Sequence, residues 1–283
     1  MIKVLNRLRV LKYLNVNGGI SLNGKHFKIP ILEKVGFSNL VMSEPWMIDL
    51  LKIVMPIEEK VFVDVGVNIG QTLLKLRCVS DSSDYIGFEP NPLCINYVNR
   101  LIKENGIKNS VLVPVGISDK SELGELTFFY ESGTDSSASM IENFRPGQKM
   151  DRKEYIPLLD LGEIKKTINL DQLSVLKIDV EGAELEVLRS FYNEIKENNP
   201  IILIEILPAY DEQNKNRINR QNEIQKLLKE LGYTIFTVIK QNEILLDLKE
   251  ISEMGIHSDL NACEYVMVPD SKKEEFLSQV NKR

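Results

Sequence analysis

The chain opens with apolar residues set among basic and polar ones: Val4, Leu5, Leu8, Leu11 and Leu14 recur at helical spacing between Lys3, Arg7, Arg9 and Lys12. That pattern predicts a short amphipathic helix. From Ile20 to Ile29 the period shortens to alternation, with Asn23-Gly24 at its centre, the strongest local signal for a two-residue hairpin turn. Ser43-Glu44-Pro45-Trp46 then supplies a capping residue and an early proline ahead of a helix over residues 47–54, which Pro56 ends.

From Val61 onward, apolar runs of strand length alternate with helical periods. Strands are predicted over residues 61–65, 85–89, 111–115, 175–179 and 201–206, with helices over 69–76, 93–104, 183–192 and 222–231. Two further strands follow, over 234–240 and 263–268. Such alternation predicts an α/β, doubly wound, mostly parallel sheet of seven strands, whose ligand sits at the carboxyl ends of the strands. Residues 1–56 then form an N-terminal accessory segment of helix, hairpin and helix, and 57–283 the main domain. Two stretches fall outside the repeat: 131–139, small and polar, and 211–221, charged and rich in Asn. Both read as surface loops, and loops beside strand ends are where substrates are met.

Composition narrows the class. A chain of 283 residues with 43% hydrophobic and 27% charged residues can bury a core without disulfides or metals. Its 35 basic and 41 acidic residues give 35 − 41 = −6, a total that argues against a nucleic-acid partner. Cys78, Cys94 and Cys263 are widely spaced, so neither a disulfide framework nor a Cys-x-x-Cys site is indicated, and a reducing, cytoplasmic compartment fits. No apolar run is long enough to cross a bilayer, and the first residues lack the continuous apolar region of a secretory signal. Charge is uneven, however: Lys3, Arg7, Arg9, Lys12, Lys25 and Lys28 all precede Glu33, the first acidic residue. This basic arm suits packing on its own domain or on a second subunit of a homo-oligomer. It also suits peripheral contact with an anionic membrane surface or an acidic glycan.

The first strand-to-helix turn reads Asp64-x-Gly66-x-Asn68-x-Gly70. A dinucleotide fold seats its pyrophosphate on Gly-x-Gly-x-x-Gly, whereas Asp64 at the first position opposes a diphosphate and suits an ammonium group, pointing to a zwitterionic cofactor. Glu89 ends the next strand, 89 − 70 = 19 residues past Gly70, where a carboxylate can accept both ribose hydroxyls, and Pro90-Asn91-Pro92 fixes the turn behind it. After the third strand, Ile117 is placed to cover an adenine face and Ser118 or Asp119 to meet its amine; a plain turn and helix cap explains these residues as well. In Lys177-Ile178-Asp179-Val180-Glu181, alternation puts Lys177, Asp179 and Glu181 on one side, charges costly to bury unless paired or used. Either carboxylate can instead cap the following helix.

The cofactor contacts nominated are therefore Asp64, Gly66, Asn68, Gly70, Glu89, Pro90, Ile117, Ser118 and Asp179. The catalytic candidates are Asp179, Glu181 and, as the alternative base, His257, an imidazole in a polar turn. His26 reads as structural. Asp179, Glu181 and Glu205 would make an all-oxygen site for magnesium or calcium, but their spacing is not diagnostic and no metal is assigned.

Three segments, 62–70, 88–92 and 176–184, resemble the successive motifs of FkbM-type methyltransferases, a similarity spanning roughly residues 61–206. Val67 departs from the alanine more usual in that family. The resemblance implies a class I, Rossmann-like methyltransferase fold, S-adenosylmethionine as methyl donor with S-adenosylhomocysteine as product, and usually a hydroxyl acceptor on a sugar, glycan or polyketide. It thins before Val61 and after Pro208, so the acceptor does not transfer with it. Two other functions compete: a nicotinamide-dependent sugar oxidoreductase or epimerase, which needs the pyrophosphate turn, and a non-catalytic binding module of the same fold. Against the module stands the presence of Asp64, Gly66, Glu89 and Asp179 together.

Overall fold

The computed structural model describes residues 2–7, 10–41, 43–131, 133–141 and 147–282. Helix α1 (Ile2–Arg7) and a 3-10 turn (Leu11–Tyr13) lead into a hairpin of β1 (Asn15–Leu22) and β2 (Lys25–Leu32), followed by α2 (Trp46–Val54). The hairpin turns where the Asn-Gly pair stands, with φ of 46° at Asn23 and 81° at Gly24, the two positive values that a type I′ turn demands. The main unit runs β3 (Val61–Val65), α3 (Gln71–Arg77), β4 (Asp84–Phe88), α4 (Pro92–Asn105), β5 (Ser110–Val113), β6 (Gly116–Ile117), β7 (Glu122–Phe128) and β8 (Arg152–Leu159). It continues with α5 (Leu161–Ile164), β9 (Leu173–Ile178), α6 (Glu184–Ser190), α7 (Tyr192–Asn198), β10 (Ile201–Glu205) and α8 (Lys215–Glu230). The chain closes with β11 (Tyr233–Gln241), β12 (Ile244–Ile251), β13 (Glu264–Pro269) and α9 (Lys273–Val280).

The central sheet has the order β12-β11-β13-β10-β9-β3-β4-β5. Strands β10, β9, β3, β4 and β5 pair in parallel, and β13 lies antiparallel to both of its neighbours. The predicted doubly wound, mostly parallel sheet is therefore present, with eight strands instead of seven. The added strand, β12, folds back on β11 at the sheet edge, and Asp247, Lys249 and Glu250 on it are the charges an edge carries. Those charges hid its strand pattern. A second difference lies after β5: the chain leaves the central sheet at Val113, and β6 joins β8 and β7 in a separate three-stranded sheet. That sheet has its own small core of Leu126, Phe128, Ile156 and Leu158.

Neighbouring residues of β3, Phe62 and Val63, fall into two different apolar layers, as alternation requires of a sheet covered on both faces. One layer packs Phe27 and Ile29 of the hairpin with Trp46, Leu51, Leu73, Leu101 and Phe276 from α2, α3, α4 and α9. The other takes Leu161, Leu188, Ile195, Ile224 and Leu228 from α5 to α8. Each such side chain stabilises the fold by roughly 1.5–3 kcal/mol.

Local departures have local causes. Helix α1 stops at Arg7, so of the predicted apolar stripe Leu11 is buried and Leu5 half-buried, while Val4 and Leu14 are exposed; Leu8 and Arg9 lie outside the described residues. Ser43 does not cap α2, where Pro45 holds the cap position; its hydroxyl accepts from Gln71 Nε2 at 2.9 Å. The predicted helix over 183–192 breaks at Phe191 into α6 and α7. Helix α8 begins at Lys215 under an Asn214 cap, so the charged run 211–221 is a turn followed by helix. There Arg217 and Gln221 are buried, and Arg217 Nη1 donates to the Pro208 carbonyl at 3.0 Å. Among the described residues no helix is long and apolar enough to cross a membrane.

The end of α3 is tied to the loops before β4 and β5 by buried Arg77, which donates to the carbonyls of Ser83 at 3.0 Å, Lys108 at 3.2 Å and Asn109 at 3.1 Å. Arg77→Leu takes the guanidinium from the Ser83 carbonyl and one of two donors from the Lys108 and Asn109 carbonyls, which keep Ser110 Oγ and Tyr85 N, and is expected to lower the unfolding free energy by about 2 kcal/mol. Urea unfolding followed by circular dichroism measures it, and an unchanged midpoint refutes it.

Candidate active site

A cleft of about 370 Å³ opens at the carboxyl ends of β10, β9, β3 and β4 and runs on to Val115 and Ile117. Because those strands lie side by side, Glu205, Asp179, Gly66 and Glu89 follow one another across its floor. This is the location that a doubly wound sheet gives its ligand.

The turn after β3 fits tightly against the end of β9. Gly66 has φ of 93°, and a Cβ there would stand 1.8 Å from the Asp179 carbonyl oxygen. Only glycine lets the two backbones approach this closely, an approach also fixed by Asp179 N donating to Val65 O at 3.0 Å. The glycine thus clears the neighbouring strand end while also lining the cleft. Gly70, with φ of 77°, starts α3 and is not a lining residue.

Asp64 does not line the cleft; it is fully buried beneath it. Its Oδ2 accepts from the Tyr85 hydroxyl at 2.7 Å, and its Oδ1 lies 3.3 Å from Lys177 Nζ. Burial raises the Asp64 pKa against the pull of Lys177 and Tyr85. Lys177 also reaches Asp179 Oδ2 at 3.2 Å and the Gly66 carbonyl at 3.4 Å. Burial opposes its charge, but Asp179 and Asp64 outweigh it and raise the lysine pKa. An ammonium brought to Asp64 by a ligand would find that carboxylate already engaged.

Glu89 lines the cleft with its carboxylate anchored from behind. Asn68 N donates to Oε2 and Asn91 N to Oε1, each at 2.8 Å, leaving a further acceptor site on both oxygens. Burial nevertheless pushes its pKa up to about 7, against those two amides. Pro90, Asn68 and Ile117 line the same end, with Leu126, Ala138 and Met140 opposite as apolar cover. Ser118 and Asp119 do not: Ser118 N pairs with the Leu159 carbonyl at 3.1 Å, and Asp119 faces Arg189.

The polar stretch predicted as a loop over 131–139 reaches the cleft. Asp135 organises it, accepting from Phe129 N at 2.7 Å and from Ser137 N at 3.0 Å; Ser132 lies outside the described residues. One anchor is the Gly133 carbonyl, which accepts from Asn91 Nδ2 at 2.8 Å; the other is Ser139 Oγ, which donates to the Glu181 carbonyl at 2.6 Å. Asp135, Ser136, Ala138 and Met140 thereby become lining residues.

At the other end Asp179, Glu181 and Glu205 line the cleft, with Glu44 and Ser43 from the chain ahead of α2. Glu205 is largely buried, and burial together with Asp179, Glu181 and Glu264 pushes its pKa up to about 9. His257 does not line the cleft; its amide donates to the Ala209 carbonyl at 3.2 Å. Asp179 and Glu181 do not join Glu205 in a metal-like group. Among the described residues, the set with ligand atoms within 4.8 Å of one another is Glu205, Cys263 and Glu264.

Several lining or supporting residues escaped the sequence. Glu44, Lys75 and Gln71 lie outside any motif, and Lys75 is buried with its ammonium 2.8 Å from Glu44. Tyr85 had a signal: it precedes Gly87 by two on β4, and a Cβ at Gly87 would meet the Tyr85 ring at 2.9 Å, so the absent side chain gives that ring its path toward Asp64.

Lys177→Met strands the Asp64 carboxylate without its cation and is expected to cost about 3–5 kcal/mol of stability. The double variant Asp64→Asn/Lys177→Met recovers part of that loss, because the buried charge has gone as well. Denaturant titration of Lys177→Met, Asp64→Asn and the double variant measures the coupling, and strictly additive losses would show that the pair does not interact.

Comparison with known proteins bears on this arrangement. The methyltransferase FkbM domain matches residues 64–235. Among curated proteins, the chain is 27% identical over 190 residues to the hexuronic acid methyltransferase AglP of Haloferax volcanii, covering 63% of this chain and 70% of that protein. It is 26% identical over 153 residues to methyltransferase 1 of Beauveria bassiana, covering 48% of this chain and 60% of the fungal protein. The chain therefore spans under two thirds of the latter. Similar solved structures include methyltransferase FkbM from Methylobacillus flagellatus, at 15% identity and a TM-score of 0.47, covering 75% of this chain and 44% of that one. Another is Podospora anserina methyltransferase PaMTH1, at 9% identity and a TM-score of 0.44, covering 94% and 95%. The match over residues 64–235 takes in the turn after β3, Glu89 and the Asp179 strand end, and it decides against the nicotinamide-dependent reading. With more than half its length inside that match, the chain belongs to the FkbM family of S-adenosylmethionine-dependent methyltransferases.

Proposed function

We propose that this chain transfers a methyl group from S-adenosylmethionine to a hydroxyl of a saccharide or similar small acceptor. The observation that carries the reading is the division of one cleft into two ends, a half-apolar end holding Glu89 and an acidic end holding Asp179, Glu181 and Glu205. The residues present fit the donor. Glu89 keeps acceptor capacity on both carboxylate oxygens for a ribose diol, and Pro90, Ile117, Leu126 and Met140 offer an apolar bed for a purine. The name of the Haloferax relative, which is 27% identical, supports a sugar as the acceptor class.

When bound, S-adenosylmethionine supplies an electrophilic methyl group on a sulfonium. The chain's own part is to align the acceptor oxygen, shed water and take the hydroxyl proton. Alignment supplies up to roughly 7–11 kcal/mol in well-oriented reactions. For the proton, Asp179 is the favoured acceptor and Glu181 the second, because both face the cleft beside the turn after β3. Lys177, held at 3.2 Å from Asp179, fixes the aim of that carboxylate. In this reading residues 1–56 act as an accessory wall, contributing Ser43 and Glu44 to the acceptor end.

The function is tested by labelled methyl transfer from S-adenosylmethionine to fractionated cell-envelope glycans. Label recovered only in protein or nucleic acid would overturn the acceptor class. Glu89 gives a second test through pH. Its pKa stands above the ordinary 4.5, at about 7, so below that pH it is protonated in the free protein and loses acceptor capacity. Affinity for S-adenosylmethionine is expected to rise roughly tenfold from pH 6 to pH 8, and Glu89→Gln to flatten the profile. Calorimetry at several pH values measures this; a wild-type affinity that falls with pH contradicts the role.

A further inference from the structure

Among the described residues, the acceptor end of the cleft is short of free cations. Three lysines come near it, and each is committed: Lys75 to Glu44 at 2.8 Å, Lys177 to Asp64 and Asp179 at 3.3 and 3.2 Å, and Lys240 to Glu264. Glu205 has no basic partner among the described residues. It ends β10, lines the cleft, and its recorded hydrogen bond comes from the Cys263 thiol at 3.4 Å. Directly across the strand pair stands Glu264, whose Oε2 is buried and has no hydrogen-bond partner. Glu205, Asp179, Lys177 and Glu44 also line a small blind extension of the cleft, closed by Trp46 and Glu264. The anionic character therefore continues below the floor.

A carboxylate held in such a place without a cation is costly, and an incoming positive group relieves that cost while an incoming negative one adds to it. We propose that the acceptor is an amine-bearing hydroxyl compound, of which an amino sugar is the type, and that its ammonium group is held by Glu205. This inference rests on the methyl-transfer reading above and narrows its acceptor class. Acceptors carrying a carboxylate are disfavoured, because among the described residues the three lysines near this end are already paired and the entering anion meets Asp179. The raised pKa of Glu205 adds a proton balance: at neutral pH its carboxyl releases one proton to solvent as the ammonium binds.

The test uses the full chain loaded with S-adenosylhomocysteine and titrated with the methyl glycosides of glucosamine, glucose and glucuronic acid. Calorimetry at pH 7 is run in two buffers of different ionisation enthalpy. The glucosaminide is expected to bind at least ~10-fold tighter than either other glycoside, with a heat that differs between buffers as a released proton requires. Glu205→Gln is expected to erase both the preference and the buffer dependence. Should that variant fail to fold, the wild-type panel still decides. A glucoside or glucuronide bound as tightly as the glucosaminide overturns the ammonium site and leaves the saccharide reading standing. Binding of none of the three by the loaded protein removes the saccharide reading, and the inference with it. Failure of S-adenosylhomocysteine to bind at all removes the methyl-transfer reading, and the inference that rests on it.

Discussion

One buried ammonium organises the centre of this molecule. Lys177 touches the carboxylate of Asp64 on β3, the carbonyl of Gly66 in the turn that follows, and Asp179 at the end of its own strand. Three groups that must keep fixed positions are thereby bound to one buried cation, and the contact with Asp64, sealed from water, is stronger than it would be in solvent. The arrangement works only because the turn can sit within bonding distance of β9, and that depends on Gly66 having no side chain. Packing and electrostatics therefore act together: the glycine permits the approach and the lysine makes it favourable.

The same constraint separates support from chemistry. Asp64 belongs to the foundation, since it is sealed beneath the floor with Tyr85 and Lys177 as partners. Glu89 faces the cleft, though its orientation is fixed from behind by two backbone amides. Asp179 stands at the border, sharing the lysine with the buried layer while its carboxylate lines the cleft. Charge that would be prohibitive in isolation is tolerated because each group has a stated partner, Glu205 having the weakest in the Cys263 thiol.

Much of this was legible in the residues. The parallel strands, their order along the chain and the two motif-bearing turns follow from apolar periodicity and from glycines at strand ends, which are local signals. Glu89 and Asp179 were recognisable because each stands at the end of a strand that periodicity defines. Asp64 was recognised as a motif residue but given the wrong surroundings, since its neighbours Tyr85 and Lys177 come from other strands and only pairing brings them close. Glu44 and Lys75 form a contact across 31 positions of sequence that no period announces. The edge strand β12 and helix α8 were obscured for a different reason. Both carry so much charge on their exposed sides that their apolar faces shrink to a few positions.

The insertion between β5 and α5 has a consequence for how such a protein can diversify. Its three strands close around Leu126, Phe128, Ile156 and Leu158, a core separate from the two layers that cover the central sheet. The loop it carries reaches the cleft through Asp135, Ser136 and Met140 and is moored at both ends of the site, to Asn91 and to Glu181. Changes in that small core and loop reshape one wall of the cleft while leaving the lysine-centred foundation alone, since distant sites without shared partners contribute independently. A lineage can thus trade one acceptor for another by redrawing the canopy over an unaltered floor.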